Sequence, residues 1–216
     1  MDVIEAMQAR HSVRDFSPKP VAKDTIMKIL EAANNSPSGA NGQPWEVFIA
    51  TGATLEKIRK IYLERAKAGP AAPPGKMPPR PDYIEERFRV IRRERLELLG
   101  LDPDDPASGK VFSEWSSRLY GAPVLVVLCM DKALSNNLDI GIYIQSVCLA
   151  AQGYGVDSFI AGSLCQHQDV LRQELEIPED YNITTGIGLG YPNSDAIINT
   201  YRSPRRSIKE VVRYKD

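Results

Sequence analysis

Apolar positions along this chain switch between helical spacing and short continuous runs, which is the pattern of helices layered on a sheet. Val3, Ile4 and Met7 share one stripe and predict a short helix. It stops before Phe16-Ser17-Pro18-Lys19-Pro20, because proline biases its predecessor away from helix. Asp24 is placed to cap a second helix carrying Ile26, Ile29, Leu30 and Ala33, which ends in the breaker cluster Asn34 to Gly39. Trp45 to Ala50 reads as a strand. Thr54 opens a helix with Leu55, Ile58, Ile61, Tyr62 and Arg65, and Gly69-Pro70 stops it.

Six of the twelve residues from Pro70 to Pro81 are proline, so this stretch is predicted as an extended loop, a linker or a lid. Asp82 to Leu99 resumes as a long helix whose five acidic and five arginine residues cancel, with Glu85 and Arg89 four apart, and its arginines are expected on a solvated face. A short helix after the Gly100 to Gly109 loop leads to Tyr120. Val124 to Cys129 is a continuous apolar run typical of a central strand buried on both faces. Leu138 to Ala151 predicts a largely buried helix ended by Gly153 and Gly155, and a further helix runs from Gln168 to Leu175. Ile183 to Gly190 is a glycine-laced strand. The last twenty residues, arginine-rich and carrying Ile208, Val211 and Val212, form a tail that must dock on something to be ordered. The expected architecture is α+β in three layers. A mixed sheet near Trp45–Ala50, Val124–Met130, Ser158–Ala161 and Ile183–Tyr191 is flanked by helices on both faces.

With 43% hydrophobic residues in 216, the chain can bury a core, which excludes disorder as its main state. Lys plus Arg number 27 against 28 for Asp plus Glu, so no global positive field draws it to nucleic acid or anionic lipid. Small molecules or a second copy are the expected partners. The apolar run from Gly121 to Met130 is about half of a membrane-spanning helix, and the opening residues lack a signal peptide's basic start and apolar middle. A cytoplasmic protein is expected. Three cysteines, Cys129, Cys148 and Cys165, cannot all pair and form no C-x-x-C, so they read as reduced, mostly buried thiols.

Several chemistries find no support. His11 and His167 stand far apart without a metal-ligand spacing, no G-x-S-x-G or P-loop is present, and Cys165 near His167 is equally consistent with packing. Gly186-Ile187-Gly188-Leu189-Gly190 lacks the dinucleotide spacing and reads as a strand passing close to another backbone. Two segments remain. Arg10-His11-Ser12-Val13-Arg14 offers two guanidiniums with a hydroxyl between them, suited to a phosphate monoester or a planar anionic acceptor, or else a solvated loop. Pro37 to Trp45 concentrates amides, a hydroxyl and glycines before a strand, as a ligand loop or an ordinary turn would.

Taken in order, R-x-S-x-R near residue 10, P-S-x-x-N-x-Q-P-W near residue 40, A-P-V-x-x-x-x-C, G-I-x-L-G-Y-P and an arginine-containing tail resemble the FMN-dependent nitroreductase family across nearly the whole chain. They are most similar to the branch of nitrobenzoate and related nitroaromatic reductases, which carries extra helical sequence where the proline loop stands here. The resemblance implies a single FMN-binding domain over 1–216, with 70–110 as an insertion and candidate lid. It also implies an intertwined homodimer with shared active sites, the helix from Leu138 at its core and the tail extended onto the partner's sheet edge. Arg10 and Ser12, with His11, match positions for the flavin phosphate and ribityl chain. Arg14 matches the basic residue at the pyrimidine edge, where positive charge stabilises reduced flavin. Pro37, Ser38, Gly39 and Asn41 match the stretch supplied by the partner subunit. Ala161, Gly162 and Ser163 fall where backbone lies against the isoalloxazine, and Arg118 and Arg205 match cationic positions completing the phosphate site. Ile160 and Gly162 depart from the family pattern, and Arg206 beside Arg205 leaves the tail register open by one.

The implied activity is reduction of nitroaromatic or quinone-type acceptors by NADH or NADPH in a ping-pong cycle. The flavin carries the chemistry, which accounts for the lack of an acid–base pair in the sequence. Two alternatives stand beside it. One is reductive dehalogenation or another reaction of the superfamily, which a Ser163 hydroxyl at flavin N5 would favour through one-electron chemistry. The other is a non-enzymatic flavin-binding protein.

Overall fold

The computed structural model describes residues 1–68, 79–134 and 137–216. The expected proline loop lies, over 70–78, outside the described residues, as does the Gly69-Pro70 helix stop. The fold grows outward from strand β2 (Val124–Asp131), of which every residue but the last is buried. Leu125, Val127 and Cys129 point to one face. There they meet Leu55, Ile58 and Tyr62 of helix α3 (Gly52–Ala68), Trp115 of α5 (Lys110–Ser117), and Val170 and Leu171 of α7 (Gln168–Leu175). Val124, Val126, Leu128 and Met130 point to the other. They pack on Ile26, Ile29 and Ala33 of α2 (Lys23–Ala33) and on Ile140, Tyr143 and Val147 of α6 (Asn137–Gly153). Helices on both faces explain why an antiparallel strand reads as an unbroken apolar run, where one-sided burial would have made it alternate.

The sheet is ordered β1-β2-β4-β3, with β1 at Glu46–Thr51, β3 at Asp157–Ala161 and β4 at Tyr181–Gly190. The mixed sheet expected from the sequence is not what forms. All three strand pairings are antiparallel, and among the described residues the parallel component is the isolated bridge between Ser12 and Ser158 on the free edge of β3. The four strands alternate in direction across the sheet, and the Ser12 segment pairs with β3 at that one point without adding a strand.

Element ends move for local reasons. Asp24 does not cap α2. Ala22 holds that position without a side-chain bond, and Asp24 sits in the first turn, where the helix dipole still favours a carboxylate. Helix α3 opens at Gly52, two residues before Thr54, because Gly52 takes φ +52° and turns the chain directly off β1. On α4 (Asp82–Leu98), Glu85 pairs with Arg80 at 3.2 Å, and Arg89 pairs with Glu86. The apolar stripe of α1 (Val3–Ala9) buries only Ala6 and leaves Val3, Ile4 and Met7 exposed. The tail is exposed too, including Ile208 and Val211 of the short helix α8 (Ile208–Val211).

The glycines of β4 are required by close approach, though of side chains and not of the other backbone that the sequence suggested. A Cβ on Gly190 would sit 2.5 Å from Cδ of Pro123 and 2.9 Å from the ring of Phe16, and one on Gly186 would sit 2.7 Å from Cβ of Leu164. Pro123 is a rigid ring at the start of β2 and cannot rotate aside. Gly190→Ala is therefore expected to lower stability by about 1–3 kcal/mol through overpacking, read as a lower urea midpoint at unchanged slope. An unchanged midpoint would mean that β4 shifts freely at this end.

Candidate functional site

Arg10 ends helix α1, its N–H donating to the Ala6 carbonyl at 3.0 Å, and the chain then runs extended along the free edge of β3. The Val13 N–H donates to the Ser158 carbonyl at 3.1 Å, Phe16 to Tyr120 at 3.0 Å and Ser17 to Tyr191 at 2.8 Å. The buried side chain of Asn199 clasps this segment to the start of the tail. Its Oδ1 accepts from the N–H groups of Arg14 at 2.9 Å and Asp15 at 3.2 Å, and its Nδ2 donates to the carbonyls of Asp15 at 2.7 Å and Asn193 at 3.1 Å. One amide thus brings residues 10–14 and 201–205 together from opposite ends of the chain.

Between them lies a cavity of about 390 Å³ lined by Arg10, His11, Ser12, Arg14, Tyr201, Arg202, Ser203 and Arg205, with Met7 and Gln8 of α1. Four guanidiniums surround it and its lining holds no carboxylate. Arg205, not Arg206, faces it. Arg206 turns away and donates to the Glu210 carbonyl at 2.7 Å. Arg202 and Arg205 are steadied by backbone oxygens, at 2.8 Å from Asn199 and from Ser203, and His11 Nδ1 lies 3.0 Å from the Ala9 carbonyl.

Arg14 is the center of this arrangement. Its side chain is buried at 9% exposure, yet among the described residues it makes no ion pair. Nη1 donates to the Ser12 carbonyl at 3.2 Å, the Phe159 and Tyr201 rings lie 5.6 and 5.8 Å from Cζ, and Nε is buried without a partner. Burial first, and then the nearby Arg95, lower its pKa from the ordinary arginine value to about 10. Because the folded value lies below the unfolded one, the cost of burying the charge is present in full below about pH 10 and is relieved only as pH rises above it. An orphaned Nε inside a ring of arginines matches an oxyanion, and a phosphate-bearing cofactor fits this donor set.

Ala161, Gly162 and Ser163 do not line the cavity, but Ser163 is linked to Arg14 through side chains packed in sequence. The Tyr120 ring meets Phe159 edge-on at 4.3 Å, and its hydroxyl lies 3.2 Å from Ser163 Oγ, so Arg14, Phe159, Tyr120 and Ser163 are contiguous. Tyr120 sits at φ +57° between Leu119 at +52° and Gly121 at +74°, a strained turn of the kind kept at functional sites.

Pro37, Ser38, Gly39 and Asn41 do not line this cavity. They form the turn before β1, where the Gly39 N–H donates to Asp139 at 3.3 Å and the Gln43 N–H to Ser38 Oγ at 2.9 Å. Ala40, Asn41 and Gln43 all adopt positive φ there, so the turn is held in one costly shape with its polar groups outward. Arg118, the last turn of α5, lines a separate cavity of about 930 Å³ with Lys67, Lys110 and His167. Its backbone carbonyl is tied to α3 by Arg59 at 3.0 Å, which fixes it on that side of the molecule. Cys165 is buried, its thiol pushed up to about 12 by desolvation, and His167 instead stacks edge-on against Tyr62 at 4.6 Å.

Asn199, Tyr201, Arg202, Glu94 and Arg95 belong to the site's surroundings without having stood out in the sequence. Arg95 in particular was expected on a solvated face. It is half-buried, with its guanidinium 5.2 Å from the Phe112 ring, and burial lowers its pKa. A tyrosine and an arginine just before the tail arginines were the only available signal for Tyr201 and Arg202. Arg95 falls at helical spacing with Ile84, Phe88, Ile91 and Leu98, which marks it for burial, whereas Glu94 lies off that stripe and carried no such signal.

Comparison with known proteins places these features in context. Residues 7–191 match the sequence model of the Nitroreductase family. The chain is 28% identical over 212 residues to the nitrobenzene nitroreductase of Ectopseudomonas oleovorans, covering 95% of this chain and 93% of that protein. It is also 28% identical to the 4-nitrobenzoate reductase of Pseudomonas putida, covering 94% and 91%. Among solved structures, the FMN and NADPH-dependent nitroreductase NfnB from Sphigopyxis sp. strain HMH superposes with a TM-score of 0.92 at 26% identity over the full length of both chains. The FMN-dependent nitroreductase NfnB from Mycobacterium smegmatis in complex with NADPH superposes at 0.89, with the same identity and coverage.

Arg14→Met keeps most of the side-chain volume and removes the buried charge. In anion-free buffer at pH 7 it is expected to raise stability by about 1–3 kcal/mol in urea unfolding, and to abolish the stabilisation that inorganic pyrophosphate confers on the wild type. A less stable variant in anion-free buffer would identify Arg14 as a structural cation.

Proposed function

The chain belongs to the nitroreductase family, and from that premise we propose that it is an FMN-dependent NAD(P)H oxidoreductase reducing nitroaromatic or quinone-type acceptors. The observation that carries this reading is the cavity of four arginines without a carboxylate, closed at its back by the buried, unpaired Arg14. Arg10, Ser12, His11 and Arg205, joined by Arg202, hold the phosphate and ribityl chain. Arg14 faces the pyrimidine edge, and the backbone of Ala161, Gly162 and Ser163 lies along the ring. FMN, when bound, supplies hydride acceptance from the nicotinamide and delivery to the acceptor. The protein binds, orients and holds positive charge at the ring's polar edge, and the protons come from solvent. One NfnB relative is NADPH-dependent and the other is solved in complex with NADPH, which supports NADPH among the donors.

Arg118 lies in the other cavity, so its part in the phosphate site passes to Arg202 in this reading. An apolar groove of about 470 Å³ between α4 and the tail, with Val90, Ile91 and Pro204, shares Ser203 and Arg205 with the anion cavity. It supports α4 as the acceptor-side part of the insertion in a single 1–216 domain. The active unit is a homodimer, in which Pro37, Ser38, Gly39 and Asn41 of a second copy complete each site. The exposed Val3, Ile4 and Met7, the shallow surface of α6 at Gly141, Ile142 and Gln145, and the uncovered Val211 and Val212 support it. The enzyme works in the cytoplasm, where its three free cysteines stay reduced.

The purified protein is expected to be yellow with FMN, to bleach on anaerobic addition of NADPH or NADH, and to recover its color with a nitroaromatic or quinone. Bound FMN that no nicotinamide reduces would reject the reductase reading. Deleting the residues after Tyr201 is expected to abolish both the dimer and the flavin in light scattering and absorbance, whereas a flavin-loaded dimeric truncation would contradict the shared-site model.

A further inference from the structure

The guanidinium of Arg14 is oriented by a single hydrogen bond, to the Ser12 carbonyl, and otherwise by the rings of Phe159 and Tyr201. Phe159 is fixed on strand β3, in register with Gly188 and edge-on to Tyr120. Tyr201 lies outside the sheet and packs, partly buried, at the margin of the same core. It stands where the chain leaves the Ile197–Thr200 turn, and its hydroxyl donates to Oε2 of Glu94 on α4 at 2.5 Å. Among the described residues that hydroxyl is the one hydrogen-bond partner of the half-buried Glu94 carboxylate. The next residue on the helix, Arg95, is half-buried as well. It donates from Nε to the Ile91 carbonyl at 3.0 Å and has no carboxylate partner among the described residues.

We propose that Glu94 and Tyr201 are a positioning pair through which helix α4 sets the guanidinium of Arg14 in the anion cavity. The carboxylate fixes the tyrosine hydroxyl, the hydroxyl fixes the ring, and the ring face holds the cation at the back of the cavity, where a swung ring would leave it free to turn. The insertion is thereby tied to the site in the same chain, and it acts on ligand binding without touching the ligand. This inference rests on the flavin reading above only for the identity of the physiological anion.

The test uses the full-length, FMN-loaded protein and follows the fluorescence of FMN released on dilution. Glu94→Ala and Tyr201→Phe, the latter keeping the ring and losing only the hydroxyl, are expected to release FMN about 5–10-fold faster. Glu94→Gln, whose amide oxygen accepts the same bond, is expected to stay within about threefold of wild type. In the Arg14→Ala background Glu94→Ala is expected to add nothing, because the two act through one group. Wild-type release from Glu94→Ala and Tyr201→Phe, or a full additional effect in the Arg14→Ala background, would overturn the proposal. If the protein carries no FMN, the flavin reading fails by itself. The same set of variants, measured by affinity for inorganic pyrophosphate, then supports or overturns the pair on the same terms.

Discussion

The site depends on one constraint, the burial of a guanidinium that the protein itself does not neutralize. Burying a cation without a counter-ion is costly, and a protein retains one where an external anion offsets the cost. Everything around Arg14 serves to hold it there. Asn199 pins its backbone, the edge of β3 carries its neighbor Val13, and two aromatic rings replace the water it has lost. The arginines at the mouth add to the same positive field, which no carboxylate of the lining offsets.

The sheet makes this possible by staying out of the way. With β2 buried on both faces and the glycines of β4 admitting Phe16, Pro123 and Leu164 against its surface, the core is dense and complete within the two helical layers. The polar chemistry is displaced to the free edge of β3, where backbone groups still need partners and a passing segment can be captured by one or two bonds. Residues 10–17 are that segment. Because they are captured by the edge and by Asn199, the first and last parts of the chain meet at one cavity.

Helix α4 shows how a highly charged helix joins such a site. Its exposed acid–arginine pairs keep it soluble, while Glu94 and Arg95 turn inward to Tyr201 and Phe112. Helical spacing sets Arg95 among Ile84, Phe88, Ile91 and Leu98 but carries no signal for Glu94, which lies off that stripe. The inward pair is chosen by what the helix lies against, which is a tertiary matter.

The four strands and the helices on both faces were legible in the chain, because apolar spacing records how many faces of an element are covered. That Arg10, Ser12 and Arg14 stand together at one cavity was legible, because guanidiniums flanking a hydroxyl within five residues are close in any fold. Other features could not be read there. The sheet's antiparallel pairing depends on which edges meet. The choice of Arg205 over Arg206 depends on which way the tail turns after Asn199, and the separation of Arg118 depends on the side of α3 to which α5 is tied. Local sequence determines what a residue can do within a few positions of itself. Contacts between residues nearly two hundred positions apart, such as Arg14 with Asn199 and Tyr201, are decided only when the whole core closes.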